Sequence, residues 1–117
     1  MHIERLNRLQ AAEYVKWHYF GDASAANLND AQQVAEFDEI FADNGLDYFA
    51  VLAADELVGV LSFEFPHGQI MMHVKLAPQA IGMLKTSELA QLGTEFGQAH
   101  YHDDDAVQIA SVSPSDD

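Results

Sequence analysis

From Ile70 to Leu76 the chain alternates without a break. Ile70, Met72, Val74 and Leu76 fall on one side of an extended segment, with Met71, His73 and Lys75 on the other. A period of two suits a strand with one face in a core. Pro78 ends the ladder because it has no backbone N–H to donate. A helical pattern then follows Gly82 and runs to about Tyr101. Strand, short loop and helix together leave unpaired amides pointing outward at a helix N-terminus, where the dipole adds partial positive charge and favours an anion. Lys75 and Lys85 flank the loop, two of only five basic residues in the chain.

The preceding segments supply the rest of one sheet. Ile3 to Leu6 reads as a short first strand. Asn7 with Gln10 has capping-box spacing for a helix through about Trp17, and Gly21 to Asn29 reads as a loop. Asp30 with Gln33 repeats that spacing, and Val34, Phe37 and Phe41 then mark one helical face up to the Asn44-Gly45 stop. Asp47 to Ala53 and Glu56 to Phe65 flank Ala54-Asp55, as in a hairpin. In the second of these strands Leu57, Leu61, Phe63 and Phe65 share a face. Pro66-His67-Gly68 turns the chain into the Gln69 strand, giving an antiparallel meander. The third helix carries Leu89, Leu92, Phe96 and Ala99 at helical spacing. Its Gly93 and Gly97 mark either a close approach to the sheet or poor helix formers on a solvated face. After a turn at Asp103 to Asp105, Ala106 to Val112 forms a last strand. The crossover through the third helix places it parallel to the Gln69 strand. The order β-α-α-β-β-β-α-β is an α+β fold, an α/β sandwich on one mixed, mostly antiparallel sheet. Residues 1–112 form a single domain and residues 113–117 an acidic tail.

Composition narrows the function. Nineteen acidic against five basic residues give a net charge of −14, which opposes nucleic-acid binding and requires any anion site to be locally basic. With no cysteine there is no disulfide, thiolate metal site or cysteine nucleophile. No apolar run reaches membrane-spanning length and the N-terminus lacks a signal-peptide pattern, so a cytoplasmic protein away from membranes is expected.

Val74-Lys75-Leu76-Ala77-Pro78 followed by Gln79-Ala80-Ile81-Gly82-Met83-Leu84 resembles the acetyl-CoA signature of GCN5-related N-acetyltransferases. In that family a strand ending in Val-x-x-x-Pro precedes a Gln/Arg-x-x-Gly-x-Gly/Ala loop. Gln79 and Gly82 match, whereas Leu84 stands where the pattern has Gly or Ala, and Thr86 where many members carry a further Gly. The resemblance implies an acyl-CoA N-acyltransferase-like fold with acetyl-CoA as co-substrate and an unknown small-molecule or peptide amine as acceptor. It further implies that the backbone at Val74, Lys75 and Leu76 meets the pantetheine arm. Gln79 and the segment Ile81, Gly82, Met83, Leu84, Lys85 and Thr86 would hold the pyrophosphate. The strands flanking the crossover would splay to admit the thioester.

Acyl transfer to an amine is helped by a general base. His73 is a candidate because histidine titrates near neutrality, and Glu64 at the end of the preceding strand is a second. A packed histidine and a solvated strand-end glutamate are the alternatives. The Trp17 to Phe20 cluster offers Trp17 and Tyr19 as acceptor contacts, or else core packing. His100 to Asp105 holds atoms suited to a divalent metal, but without paired helical histidines it reads as a solvated turn, and no metal site is assigned. The family's Asn-bearing helix, acidic Tyr and last two strands have no counterpart after Val112. A non-catalytic, acidic protein-interaction module on a degenerate acetyltransferase scaffold is therefore the alternative function. Val107, Ile109 and Val112 on a terminal strand also point to a homodimer through that edge.

Overall fold

The computed structural model describes residues 1–101 and 106–114. The expected Asp103–Asp105 turn and all but the start of the expected tail lie outside the described residues. Five strands and three α-helices follow the expected order. They are β1 (His2–Arg5), α1 (Arg8–Val15), α2 (Asp30–Ile40), β2 (Asp47–Ala53), β3 (Glu56–Glu64), β4 (Met71–Leu76), α3 (Thr86–Tyr101) and β5 (Gln108–Ser113). The sheet order is β1-β2-β3-β4-β5, antiparallel from β1 through β4 and parallel between β4 and β5. The molecule is thus α+β with a mixed sheet.

Local chemistry explains the boundaries. Asn7 caps α1 with reciprocal bonds, its side chain accepting from the Gln10 amide at 2.8 Å and its amide donating to Gln10 at 2.9 Å. At α2 the box lies one residue earlier than the sequence spacing indicated. Asn29 is extended and exchanges bonds of 2.8 and 2.9 Å with Gln32, while Asp30 is the first helical residue. There Asp30 places a negative charge against the dipole. The expected apolar face of α2 is also corrected: Val34 is exposed and Phe41 is 38% exposed, whereas Ile40 is buried and Phe37 half-buried. The expected loop before it contains a 3₁₀ turn, Gly21–Ala26. Ala54 and Asp55 join β2 to β3 with φ of 50° and 67°, the paired positive values of a two-residue hairpin turn.

Gly93 and Gly97 prove to be points of close approach. A Cβ on Gly93 would stand 2.6 Å from Met72 Sδ and 2.9 Å from Leu61 Cδ2, and one on Gly97 would stand 2.8 Å from Phe63 Cε1. The buried face of α3 is therefore Leu89, Ala90, Gly93 and Gly97, while Ala99 is exposed. Bare backbone at these glycines lets the helix sit directly on Leu61, Phe63 and Met72, at the cost of helix propensity. Val107, expected at the strand edge, is buried ahead of β5, and Ile109 is exposed. Among the described residues no helix is long and apolar enough to cross a membrane.

The end of α3 is tied to β2. Tyr101 donates to Asp47 Oδ2 at 2.6 Å and Arg5 to Asp47 Oδ1 at 3.1 Å. Burial alone would raise the Asp47 pKa, but these two donors and the Arg5 charge bring it below its ordinary value. A depressed carboxylate contributes stability that is present above the unfolded pKa, about 3.9, and is lost as pH falls through the folded value. Tyr101→Phe removes a donor, so the folded value moves back toward the unfolded one. Its stability, followed by urea denaturation at stepped pH, is expected to vary less steeply on the acid side than that of the parent.

Candidate active site

The antiparallel and parallel registers align one row of side chains across the sheet. Tyr48 pairs with Ser62, Ser62 with His73, and His73 with Ser111. The alternate row carries Phe49, Leu61 and Val74 and meets α3 on the opposite face. The polar row thus faces the α1 and α2 side, where Tyr14 of α1 and Tyr48 of β2 both donate to Glu36 of α2, at 3.3 and 3.4 Å.

His73 and Glu64, singled out separately in the sequence, come together here. His73 Nε2 lies 2.9 Å from Glu64 Oε1, and Nδ1 lies 2.7 Å from Ser111 Oγ. A carboxylate only accepts, so Nε2 carries a hydrogen and donates it to Glu64. In the neutral ring Nδ1 is then the acceptor, directed at Ser111. Both side chains are partly open, with exposures of 41% for His73 and 40% for Glu64, so a substrate can reach them.

A cavity of about 270 Å³ adjoins this pair, with Tyr14, Glu36, Glu39, Tyr48, Ser62, Glu64 and His73 among its walls. Burial, followed by the Glu36 carboxylate, pushes the phenols of Tyr14 and Tyr48 up, which keeps them as donors to Glu36. Carboxylates beside aromatic faces suit an organic cation. The protein's own Lys75 shows the same contact: its Nζ lies 5.1 Å from the centroid of Tyr14 and 5.8 Å from that of Tyr19. Burial lowers the Lys75 pKa while Glu36 acts in the opposite direction.

The other sequence candidates fall elsewhere. Tyr19 is 1% exposed and its hydroxyl donates to the Leu76 carbonyl, so it packs the core beneath β4. Trp17 is also buried, edge-on to Tyr14. Trp17 also lines a separate cavity with Glu13, Asp55, Glu56 and Gln79. Val74 and Lys75 are paired with Val112 and Ser113, and the β4–β5 ladder runs on to that point. The expected splay is thus closed over the ladder, and the Leu76 carbonyl is already engaged. Gln79 donates to the Leu57 carbonyl at 2.9 Å. In the loop, Ile81 donates to Pro78, Met83 and Leu84 to Ala80, and Lys85 to the Glu88 carboxylate. Those amides are used internally. A cavity of about 270 Å³ still opens between this loop and Pro114, lined by Gly82, Lys85 and Thr86 among others. The Thr86 hydroxyl is buried beside it without a hydrogen-bond partner among the described residues.

Leu84 packs on the core, and its amide serves Ala80. Leu84→Gly is accordingly expected to destabilise the fold by about 2 kcal/mol without strengthening CoA binding. Paired melting and titration curves check this, and a gain in affinity would mean that the side chain obstructs a phosphate site. Of the His100–Asp105 segment only His100 and Tyr101 are described. The His100 ring stacks on Phe96 with centroids 5.2 Å apart. Among the described residues no group of three or more potential ligands is gathered around a metal position.

Ser111, Glu36, Tyr14 and Tyr48 were not singled out from the sequence. Tyr14 and Tyr48 are buried, and only their hydroxyls reach Glu36. Ser111 reaches His73 only through the strand register.

No family model and no curated protein matches the chain. Among solved structures, the crystal structure of a transcriptional regulator from Bacillus halodurans C-125 is similar, with a TM-score of 0.61 and 15% identity. The match covers 93% of this chain and 80% of that one. At this identity the likeness concerns the fold.

Proposed function

We propose that this chain is an acyl-transfer domain of the acetyltransferase type. It takes an acyl group from acetyl-CoA and delivers it to a cationic amine held in the acidic cleft. The observation that carries this reading is the His73–Glu64 pair, a 2.9 Å proton-accepting unit beside a cavity walled by carboxylates and tyrosines. Glu36, Glu39 and Glu64 attract the ammonium and Tyr14 and Tyr48 face it; His73 takes one proton from it to free the nitrogen lone pair for attack, and the second N–H proton leaves with the CoA thiolate as the amide bond forms. Positioning donor and acceptor together contributes the rest of the rate. The donor's phosphates fall to Lys85, Thr86 and the α3 N-terminus, where the buried Thr86 hydroxyl lacks a partner among the described residues.

A second reading is an acidic interaction module on the same scaffold. It is favoured by the closed β4–β5 ladder and the internally donated loop amides. The net charge of −14 suits a basic partner under this reading, and it makes a nucleic-acid partner a poor match under either.

Calorimetric titration with acetyl-CoA, and separately with a polyamine, tests the proposal. Acyl transfer requires both to bind and Glu36→Gln to weaken only the polyamine. Absence of acetyl-CoA binding at millimolar concentration, with polyamine binding retained, supports the interaction module.

A further inference from the structure

We infer that Ser111 is a nucleophile: with His73 and Glu64 it forms a Ser–His–Glu relay that becomes transiently acylated on Ser111 Oγ. The inference rests on the reading of His73 as a proton acceptor, but it requires neither acetyl-CoA nor the amine.

The geometry has three supports. First, Oγ, Nδ1, Nε2 and Oε1 are linked in series by contacts of 2.7 and 2.9 Å, the spacing expected of nucleophile, base and orienting carboxylate. Second, the two contacts select one tautomer of the neutral ring. Glu64 requires the hydrogen on Nε2, so the lone pair of Nδ1 faces the Ser111 hydroxyl. Of the two ring nitrogens Nδ1 then carries the lone pair, and the hydroxyl that lies against it is that of Ser111. Third, β5 departs from regular pairing at this point. Met72 pairs with Ile109 but His73 pairs with Ser111, leaving Ala110 as an extra residue. Without this bulge Ala110 would oppose His73, and Ser111 would turn toward the α3 side of the sheet. Bulges re-aim side chains in this way, and they are over-represented beside active sites. Ser111 is also exposed, so an acyl donor can approach it.

The step balances. Ser111 Oγ attacks the carbonyl carbon of an activated acyl ester or thioester, and its proton passes to His73 Nδ1. The tetrahedral intermediate collapses, the bond to the leaving group breaks, and the imidazolium returns that proton to the departing oxygen or sulfur. An amine or water then attacks the acyl-serine, gives its proton to Nδ1, and releases Ser111 Oγ, which recovers the proton. Glu64 holds Nε2–H throughout.

The test is covalent labelling with a fluorophosphonate, read by intact mass and peptide mapping, alongside the burst of nitrophenol from p-nitrophenyl acetate. One adduct per chain on Ser111 is expected, at an unchanged rate in Ser24→Ala and absent in Ser111→Ala. In His73→Gln the labelling rate should fall by at least ~10²-fold. Melting curves establish that each variant is folded. Ser111→Cys, which keeps a nucleophile at the site, should trap the acetyl group as a thioester. No adduct in folded protein, an adduct on another serine, or Ser111 labelling indifferent to His73→Gln would overturn the inference. Undiminished amine acetylation by Ser111→Ala would also overturn it while leaving the proposed function intact. Labelled Ser111 in a protein that ignores acetyl-CoA would do the reverse.

Discussion

Phe63→Ala is expected to cost about 3–5 kcal/mol of unfolding free energy, the range for truncating a buried aromatic. Phe63 is fully buried on β3, with ring centroids 5.8 Å from Phe49, 6.3 Å from Phe96 and 5.4 Å from Tyr101. Gly97 of α3 rests on the same ring. Removing the ring leaves a void that the helix cannot fill by settling closer, because Gly93 is already against Leu61 and Met72. A domain of ordinary stability, about 5–15 kcal/mol, would lose a large share of it. Urea denaturation of the variant measures the cost. A value below about 1 kcal/mol would show that α3 is not seated on the sheet at this ring.

The second large effect is on chemistry. His73→Gln is expected to reduce acyl transfer by ~10²–10⁴-fold, the usual contribution of a positioned acid–base group, while leaving the fold intact. Glutamine can still hydrogen-bond to Glu64 and Ser111, but it cannot accept a proton at working pH. Glu64→Gln should cost less, since the imidazole remains and only its fixed tautomer and orientation are lost. Initial rates of thiol release at saturating acceptor distinguish the two. Equal, small losses in both variants would make the pair a surface ion contact.

Much of this fold was legible because each local signal agreed with its neighbours. The alternation of Ile70 to Leu76, the Ala54-Asp55 turn and the Asn7–Gln10 box all produced the expected elements. The α2 face was misread because Phe37 and Phe41 pair with each other, centroids 5.1 Å apart, beneath the Arg8 guanidinium instead of both entering the core. Sequence periodicity cannot register a cation covering an aromatic edge. At the site, His73 and Glu64 were visible as residue types, but their contact depends on the β3–β4 register. Ser111 was hidden more deeply, since a one-residue bulge reverses which side of the sheet it faces. For Trp17 and Tyr19 the sequence favoured core packing over acceptor contact. For Tyr19 the core contact is the bond to the Leu76 carbonyl, a partner fifty-seven residues away.

The most direct measurement is mass-spectrometric detection of product after incubation with acetyl-CoA and a polyamine, comparing the parent protein with His73→Gln. Acetylated polyamine and free CoA in equal amounts, formed by the parent and reduced by at least ~10²-fold in the variant, are the predicted result. No acetylated product from a folded parent protein, or product formed equally by His73→Gln, would contradict acyl transfer through this site.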